Sequence, residues 1–247
     1  MSRPTLAVRR VRGDEGDPPP PGSWFDKVPA VAQLLRDGWT LAPVTVLVGD
    51  NGAGKSTLVE ALARAFGMAA EGGSTGSRHL TRETESELWR HLVLERDLGA
   101  PRRAFFVRAE TMHSFYTYLE DNPGGQPEPQ FHRMSHGESI LALVMHRMVK
   151  PGFYVFDEPE SALSFAGCLA LLTHLNGLVA DGSQVVLATH SPVLAAMPGA
   201  DLWEVGEWGM RRCAWEDLDL VRRWRGFLDN PGRYLRHVLG EHREIVD

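Results

Sequence analysis

"GDNGAGKST", residues 49–57, is the stretch whose reading decides the fold. It fits the pattern G-x-x-x-x-G-K-[ST] through Gly49, Gly54, Lys55 and Ser56. Glycines there let consecutive backbone N–H groups turn inward as a nest for an anion, and a following helix adds the positive end of its dipole. Asn51, Gly52, Ala53, Gly54, Lys55, Ser56 and Thr57 are therefore the candidates to surround a polyphosphate. Lys55 would set a point charge against the β- and γ-phosphates, and Ser56 would offer its hydroxyl to Mg²⁺. The plain alternative is a glycine-rich turn capped by serine. The flanks favour the phosphate loop: an apolar run of strand length precedes it, and Leu58, Leu62 and Phe66 follow at helical spacing.

Three more runs share the character of "PVTVLVGD" (43–50): "AFFVRAE" (104–110), "FYVFDEP" (153–159) and "QVVLATH" (184–190). Each is rich in Val and Phe, as strands covered on both faces are. Helical stripes fall between them at Leu141/Val144/Met145/Met148 and Cys168/Leu172/Leu175/Val179. Strands alternating with helices predict an α/β fold with a mixed, mainly parallel sheet. Residues 201–215 read as a hairpin turning at Gly206–Gly209, followed by two helices split at "DNPG" (229–232).

At 247 residues the chain is expected to form one domain, residues 1–247, with a small helical lobe over roughly 76–150 and the hairpin and helices over 201–247. A net charge of −6 gives no general basic field for nucleic acid. Only Lys27, Lys55 and Lys150 are lysines among 26 basic residues, which makes the place of Lys55 more telling. Cys168 and Cys213 have no paired spacing and are expected to be reduced. The opening residues lack the apolar core of a secretion signal, and charge interrupts every apolar run too early for a membrane span. A cytoplasmic protein without a membrane partner is the expectation.

"FYVFDEPE" delivers Asp157 and Glu158 at the end of a buried strand. Beside a phosphate loop, such an aspartate holds Mg²⁺ and an adjacent carboxylate can polarise the attacking water. A solvated turn ended by Pro159 is the bland reading. "QVVLATHSP" ends the next strand at His190, which is structural if it stands alone. Beside Asp157 and Glu158 it would hydrogen-bond a γ-phosphate and orient water, at the edge where open α/β sheets bind ligands. In "MSHGES", Ser135 and Glu138 have the S-x-x-E spacing of a capping box opening a helix over Glu138–Lys150. A capped helix start also presents free N–H groups and a hydroxyl to an anion. A hydrolytic dyad of Ser135 and His136 is the weak reading, since adjacent side chains rarely align and no G-x-S-x-G elbow exists.

"GDNGAGKST", "MSHGES", "FDEPESALS" and "ATHSP", in this order, resemble the P-loop, signature, Walker B strand with D-loop, and switch histidine of an ABC-type ATPase. The likeness runs from about Trp24 to Leu239 and is strongest to small predicted ATPases of the RecF and chromosome-maintenance branch, often grouped as "AAA family". It implies a P-loop NTPase that binds ATP with Mg²⁺ and hydrolyses ATP, with Lys55, Glu158 and His190 catalytic and Ser56, Asp157 and Glu110 around the metal. It also implies an ATP-dependent homodimer in which Ser135, His136, Gly137 and Glu138 meet the γ-phosphate held by the other subunit. The sequence departs from the common form: His136 replaces a glycine, and Glu138 often is glutamine. Glu138 should therefore turn toward ribose or back to its own helix. Glu110 stands where the wider superfamily has glutamine, and a surface pair with Arg108 is its alternative role. Trp24 and Phe25 are open between adenine stacking and packing.

Arg211 to Arg243 holds eight arginines against five acids, with Trp224 on a stripe with Val221 and Leu228. A solvated face over a packed stripe is the bland reading, and a nucleic-acid patch the alternative. The client of the nucleotide cycle, DNA or an unknown protein such as a toxin or defence effector, is not written in the motifs.

Overall fold

The computed structural model of the protein describes residues 4–75, 86–121 and 129–239. The chain opens with β1 (Arg10–Gly13), α1 (Pro29–Asp37) and β2 (Trp39–Thr40). β3 (Val44–Gly49) and α2 (Lys55–Phe66) then flank the glycine-rich loop. β4 (Gly73–Ser74), β5 (Leu92–Glu95), β6 (Ala104–Arg108), α3 (Met112–Asp121) and α4 (His136–Arg147) follow. β7 (Phe153–Asp157), α5 (Phe165–Ala180), β8 (Gln184–Thr189) and the short α6 (Pro192–Ala195) complete the central layer. The chain continues through the hairpin of β9 (Asp201–Gly206) and β10 (Gly209–Arg212) into α7 (Asp219–Asp229) and α8 (Pro231–Leu239).

Seven strands form one sheet in the order β10-β9-β3-β8-β7-β6-β4. The five inner strands run parallel, and β10 and β4 close the edges antiparallel. Because the inner strands share a direction, their carboxyl ends lie along one edge. That edge receives the 49–57 loop, Asp157, Glu158 and His190.

Both faces of this sheet are covered, which is why its strands read as unbroken apolar runs. Val46, Val48, Tyr154, Phe156 and Leu187 pack on one side with Leu143, Leu171 and Leu175. Leu47, Phe153, Val155 and Val186 pack on the other with Leu58, Leu62 and Leu34. Each such fully buried side chain contributes roughly 1.5–3 kcal/mol of transfer free energy.

A second, antiparallel sheet of order β2-β1-β5 was not expected from the sequence. Its strands are two to four residues long and partly exposed, too short for a period to show. The buried Gln184 ties the chain beside it to the main sheet: its amide donates to the carbonyls of Val8 (2.7 Å) and Ala42 (3.1 Å), and its oxygen accepts from Val8 N–H (2.9 Å).

The lobe expected over 76–150 is not helical throughout. β5 and β6 lie within it and belong to the two sheets, so its described helices are α3 and α4, and residues 76–85 and 122–128 lie outside the described residues. α4 starts two residues earlier than expected, at His136, because Ser135 is its cap. Its buried face is Ile140, Leu143, Val144 and Met148, while Met145 is exposed. On α5 the stripe is Cys168, Leu171, Leu175 and Leu178. Both faces sit about a residue from the expected stripe, since several apolar side chains border each one. On α7 only Val221 is buried, and Trp224 and Leu228 are exposed. Among the described residues no helix is long and apolar enough to cross a membrane.

Candidate functional site

The glycine-rich loop is shaped by close approaches. A Cβ on Gly49 would collide with the Val205 carbonyl oxygen of β9, so only glycine fits the end of β3. Gly54, with φ of 101°, caps α2 in the left-handed region, and a Cβ there would come 2.7 Å from Val28 Cγ1. Asn51, Gly52, Ala53 and Thr57 fill the loop and the first turn, at the amino end of α2 and its dipole.

Lys55 reaches back from the first residue of α2 and is 2% exposed. Its Nζ donates to the Asp50 carbonyl at 3.2 Å and lies 2.9 Å from His190 Nε2 and 3.7 Å from Glu158 Oε1. Burial pulls its pKa down, opposed by Glu158, Asp157 and Glu160. His190 Nε2 is also 2.9 Å from Glu158 Oε1. One ring nitrogen thus stands between an ammonium and a carboxylate. It accepts from Lys55 when bare and donates to Glu158 when protonated.

β7 and β8 are parallel neighbours with Asp157 opposite Ala188, which sets Glu158 beside His190. Glu158 adopts φ 47° and ψ 50°, the one non-glycine residue with positive φ among the described residues. This left-handed backbone costs of order 1 kcal/mol or more and turns the chain sharply at the strand end. The Glu158 N–H donates to the Ala188 carbonyl at 2.9 Å, which holds the turn.

Asp157 is buried, with its Oδ1 lacking a hydrogen-bond partner among the described residues. Burial pushes its pKa up to about 6, against the Ser56 hydroxyl and the Arg108 guanidinium, which pull it down. An orphaned carboxylate oxygen next to Ser56 fits a divalent cation, which takes one or two carboxylates plus substrate phosphates. Among the described residues no three His, Cys, Asp or Glu side chains are grouped to hold a metal by themselves. Glu110 lies in the turn Ala109–Thr111 beyond the end of β6, exposed, and its charge bears on Asp157. Arg108 bonds elsewhere than to Glu110: its Nη1 donates to Glu60 Oε2 at 2.7 Å, and its Nε is 3.5 Å from Asp157 Oδ2.

Ser135 and Glu138 close on each other. Ser135 N–H and Oγ donate to Glu138 Oε2 at 2.9 and 2.6 Å, and Glu138 N–H donates to Ser135 Oγ at 3.4 Å. Those bonds hold the Glu138 carboxylate below its usual pKa and turn it back onto its own helix. Ser135 and His136 are exposed. Gly137 packs on the turn after Glu158: a Cβ there would lie 2.6 Å from the Ala162 carbonyl oxygen.

Phe25 is buried in the core, with Trp24 tilted on it at 4.5 Å and half exposed. Glu160 was missed in the sequence. It accepts the His190 backbone N–H through Oε1, and its partner is a main-chain group that no motif spells out. Arg108 was weighed only as a partner for Glu110, although it lies opposite Asp157 in the β6–β7 register.

The family described as "AAA domain, putative AbiEii toxin, Type IV TA system" matches residues 44–97 and 79–196. A "Putative ABC transporter ATP-binding protein" of Streptomyces avermitilis is 33% identical over 191 residues, 67% of this chain and 32% of that protein. The chain thus spans about a third of the length of that relative, and a second one from Streptomyces coelicolor is covered to the same extent. The "Cobalt import ATP-binding protein CbiO" of Salmonella typhimurium is 26% identical over 202 residues, covering 68% of this chain and 69% of that one. Among solved structures, the SMC head domain from Thermotoga maritima is similar at 16% identity, with a TM-score of 0.42, over 72% of this chain and 93% of that one.

Proposed function

The chain belongs to the AAA domain family just described, an ABC-type P-loop ATPase domain, and from that premise we propose that it works as an ATP-sandwiched homodimeric switch rather than as part of a transporter. The observation that carries the reading is the meeting of Lys55, His190 and Glu158 within 3.7 Å at the shared edge of β3, β8 and β7. Three groups suited to a γ-phosphate and a water converge there, on the flank of a loop built to hold an anion.

In this reading the N–H groups of residues 51–57 and the Lys55 ammonium bind the triphosphate. Arrival of the γ-phosphate draws Lys55 away from His190. His190 then donates to a γ-phosphate oxygen, and Glu158 accepts a proton from the attacking water. Water oxygen bonds to the γ-phosphorus, the bond to the bridging oxygen breaks, and its electron pair stays on ADP. Proton acceptance of this kind contributes about 10²–10⁴ in rate. Ser56, Asp157 and Glu110 would hold Mg²⁺, which supplies charge neutralisation along the phosphates.

Ser135, His136 and Gly137 of a second copy would approach the same γ-phosphate from outside, with Glu138 engaged on its own helix. Support comes from the exposure of this capped helix start and from its contact with Ala162, four residues past Glu158. Binding closes the dimer and hydrolysis reopens it. Sedimentation velocity of Glu158→Gln with and without MgATP tests this: a dimer is expected only with nucleotide, and a monomer with bound ATP contradicts it.

The client is a protein or DNA. The family's description names a toxin of a type IV toxin–antitoxin system, which keeps a toxin or defence effector beside DNA as a candidate. A second reading, a transporter's nucleotide-binding part, is favoured by the printed names of the Streptomyces and Salmonella relatives. Affinity capture on the closed Glu158→Gln form separates these, since a multi-span partner would support the transporter.

A further inference from the structure

A cavity of about 560 Å³ opens on the other flank of the glycine-rich loop, away from Glu158 and His190. It sits at the carboxyl ends of β3 and β9, the kind of crevice where open α/β sheets take ligands. Val28 and Pro29, residues 49–53, and Gly206 and Trp208 of the β9–β10 hairpin line it. Leu220 and Arg223 of α7 line it as well. Its size is within the roughly 300–1,000 Å³ of ligand pockets.

We infer that this cavity receives the base and ribose of the bound nucleotide, with Trp208 as the aromatic wall against the base. The inference rests on the P-loop reading and extends it. The sheet order places β3 between β8 and β9, so the cavity and the Lys55–His190–Glu158 cluster lie on opposite sides of one loop. Two strand spacings, about 10 Å, separate them. A triphosphate with its ribose spans a distance of that order, so a γ-phosphate seated at Lys55 directs the base into the cavity.

The aromatic side chains before the loop fit this place less well. Phe25 is committed to the core, and neither Phe25 nor Trp24 lines the cavity. Trp208 is half exposed, its ring lies over Gly206, and the Arg211 guanidinium rests 4.0 Å from the ring centroid. A Cβ on Gly206 would press within 2.9 Å of that ring, so the glycine makes room for it. Arg223 is held over the loop by an exposed ion pair with Asp50 at 3.2 Å. Such a solvent-screened pair contributes little and yields readily to an entering ligand.

The test measures binding of two probes, ATP and inorganic tripolyphosphate, to the full chain carrying Trp208→Ala, Trp208→Phe or Lys55→Ala. Loss of base stacking should weaken ATP roughly 5- to 150-fold in Trp208→Ala and leave tripolyphosphate unchanged. Trp208→Phe should recover most of the ATP affinity. Unchanged ATP affinity in Trp208→Ala, or an equal loss of both probes, would overturn the inference. Lys55→Ala should lose both probes, and retention of both would instead remove the P-loop reading beneath it.

Discussion

Lys55 Nζ and His190 Nε2 lie 2.9 Å apart at the ends of β3 and β8, and Glu158 Oε1 lies 2.9 Å from the same imidazole nitrogen and 3.7 Å from Nζ. In the proposed cycle a γ-phosphate takes Lys55 from His190, which leaves His190 and Glu158 to act on phosphate and water.

Lys55→Ala removes the buried ammonium from that exchange. ATP affinity measured by calorimetry should fall roughly 10²-fold or more, since charge-assisted hydrogen bonds to phosphate are lost. An unchanged affinity would contradict the assignment of the loop.

Glu160→Ala should lower kcat about 10-fold and leave ATP affinity near normal. Its carboxylate holds the His190 backbone N–H and so positions the imidazole without touching substrate. Glu160→Gln retains an accepting oxygen and should restore most of the rate. A drop in affinity with kcat intact would place Glu160 elsewhere in the cycle.

Asp157 carries a pH signature. Its pKa is about 6 in the fold, against about 3.9 for an ordinary aspartate. The native state therefore binds this proton more tightly than the unfolded chain. Stability from this group is greatest below pH ~4 and declines as pH rises through ~6. Asp157→Asn should stabilise the nucleotide-free protein by up to about 3 kcal/mol above pH 6 and by almost nothing near pH 4. Thermal unfolding across that range reads the difference, and equal gains at both ends would refute the burial argument.

The inner strands and the phosphate loop were legible because covering a parallel sheet on both faces writes unbroken Val and Phe runs. The β1–β2–β5 sheet was not, because strands of two to four residues carry no period. The capping role of Ser135 and Glu138 was readable from spacing alone, as it is local. Glu160 and Trp208 were not, since Glu160 meets a main-chain N–H thirty residues away and Trp208 lines a cavity assembled from four separate segments. Phe25 was open between adenine stacking and packing, because sequence does not say which way a ring near the loop turns, and the structure buries it in the core.

Gly137→Ala should cost about 1–3 kcal/mol and lower the melting temperature, because the new methyl meets the Ala162 carbonyl at 2.6 Å. The helix start and the turn after Glu158 would be pushed apart, so ATP turnover should drop even at temperatures where the protein stays folded. Wild-type turnover together with wild-type melting would show the contact to be slack.

The most direct test of the shared site mixes two inactive proteins, Lys55→Ala and Ser135→Arg. If each site joins the loop of one copy to the Ser135 turn of the other, a mixed dimer has one fully intact site. Turnover at equal mixing should recover to about a quarter of the wild-type rate, since half the dimers are mixed and each has one working site of two. No recovery at any ratio, with both proteins folded and Ser135→Arg still binding ATP, would contradict the account.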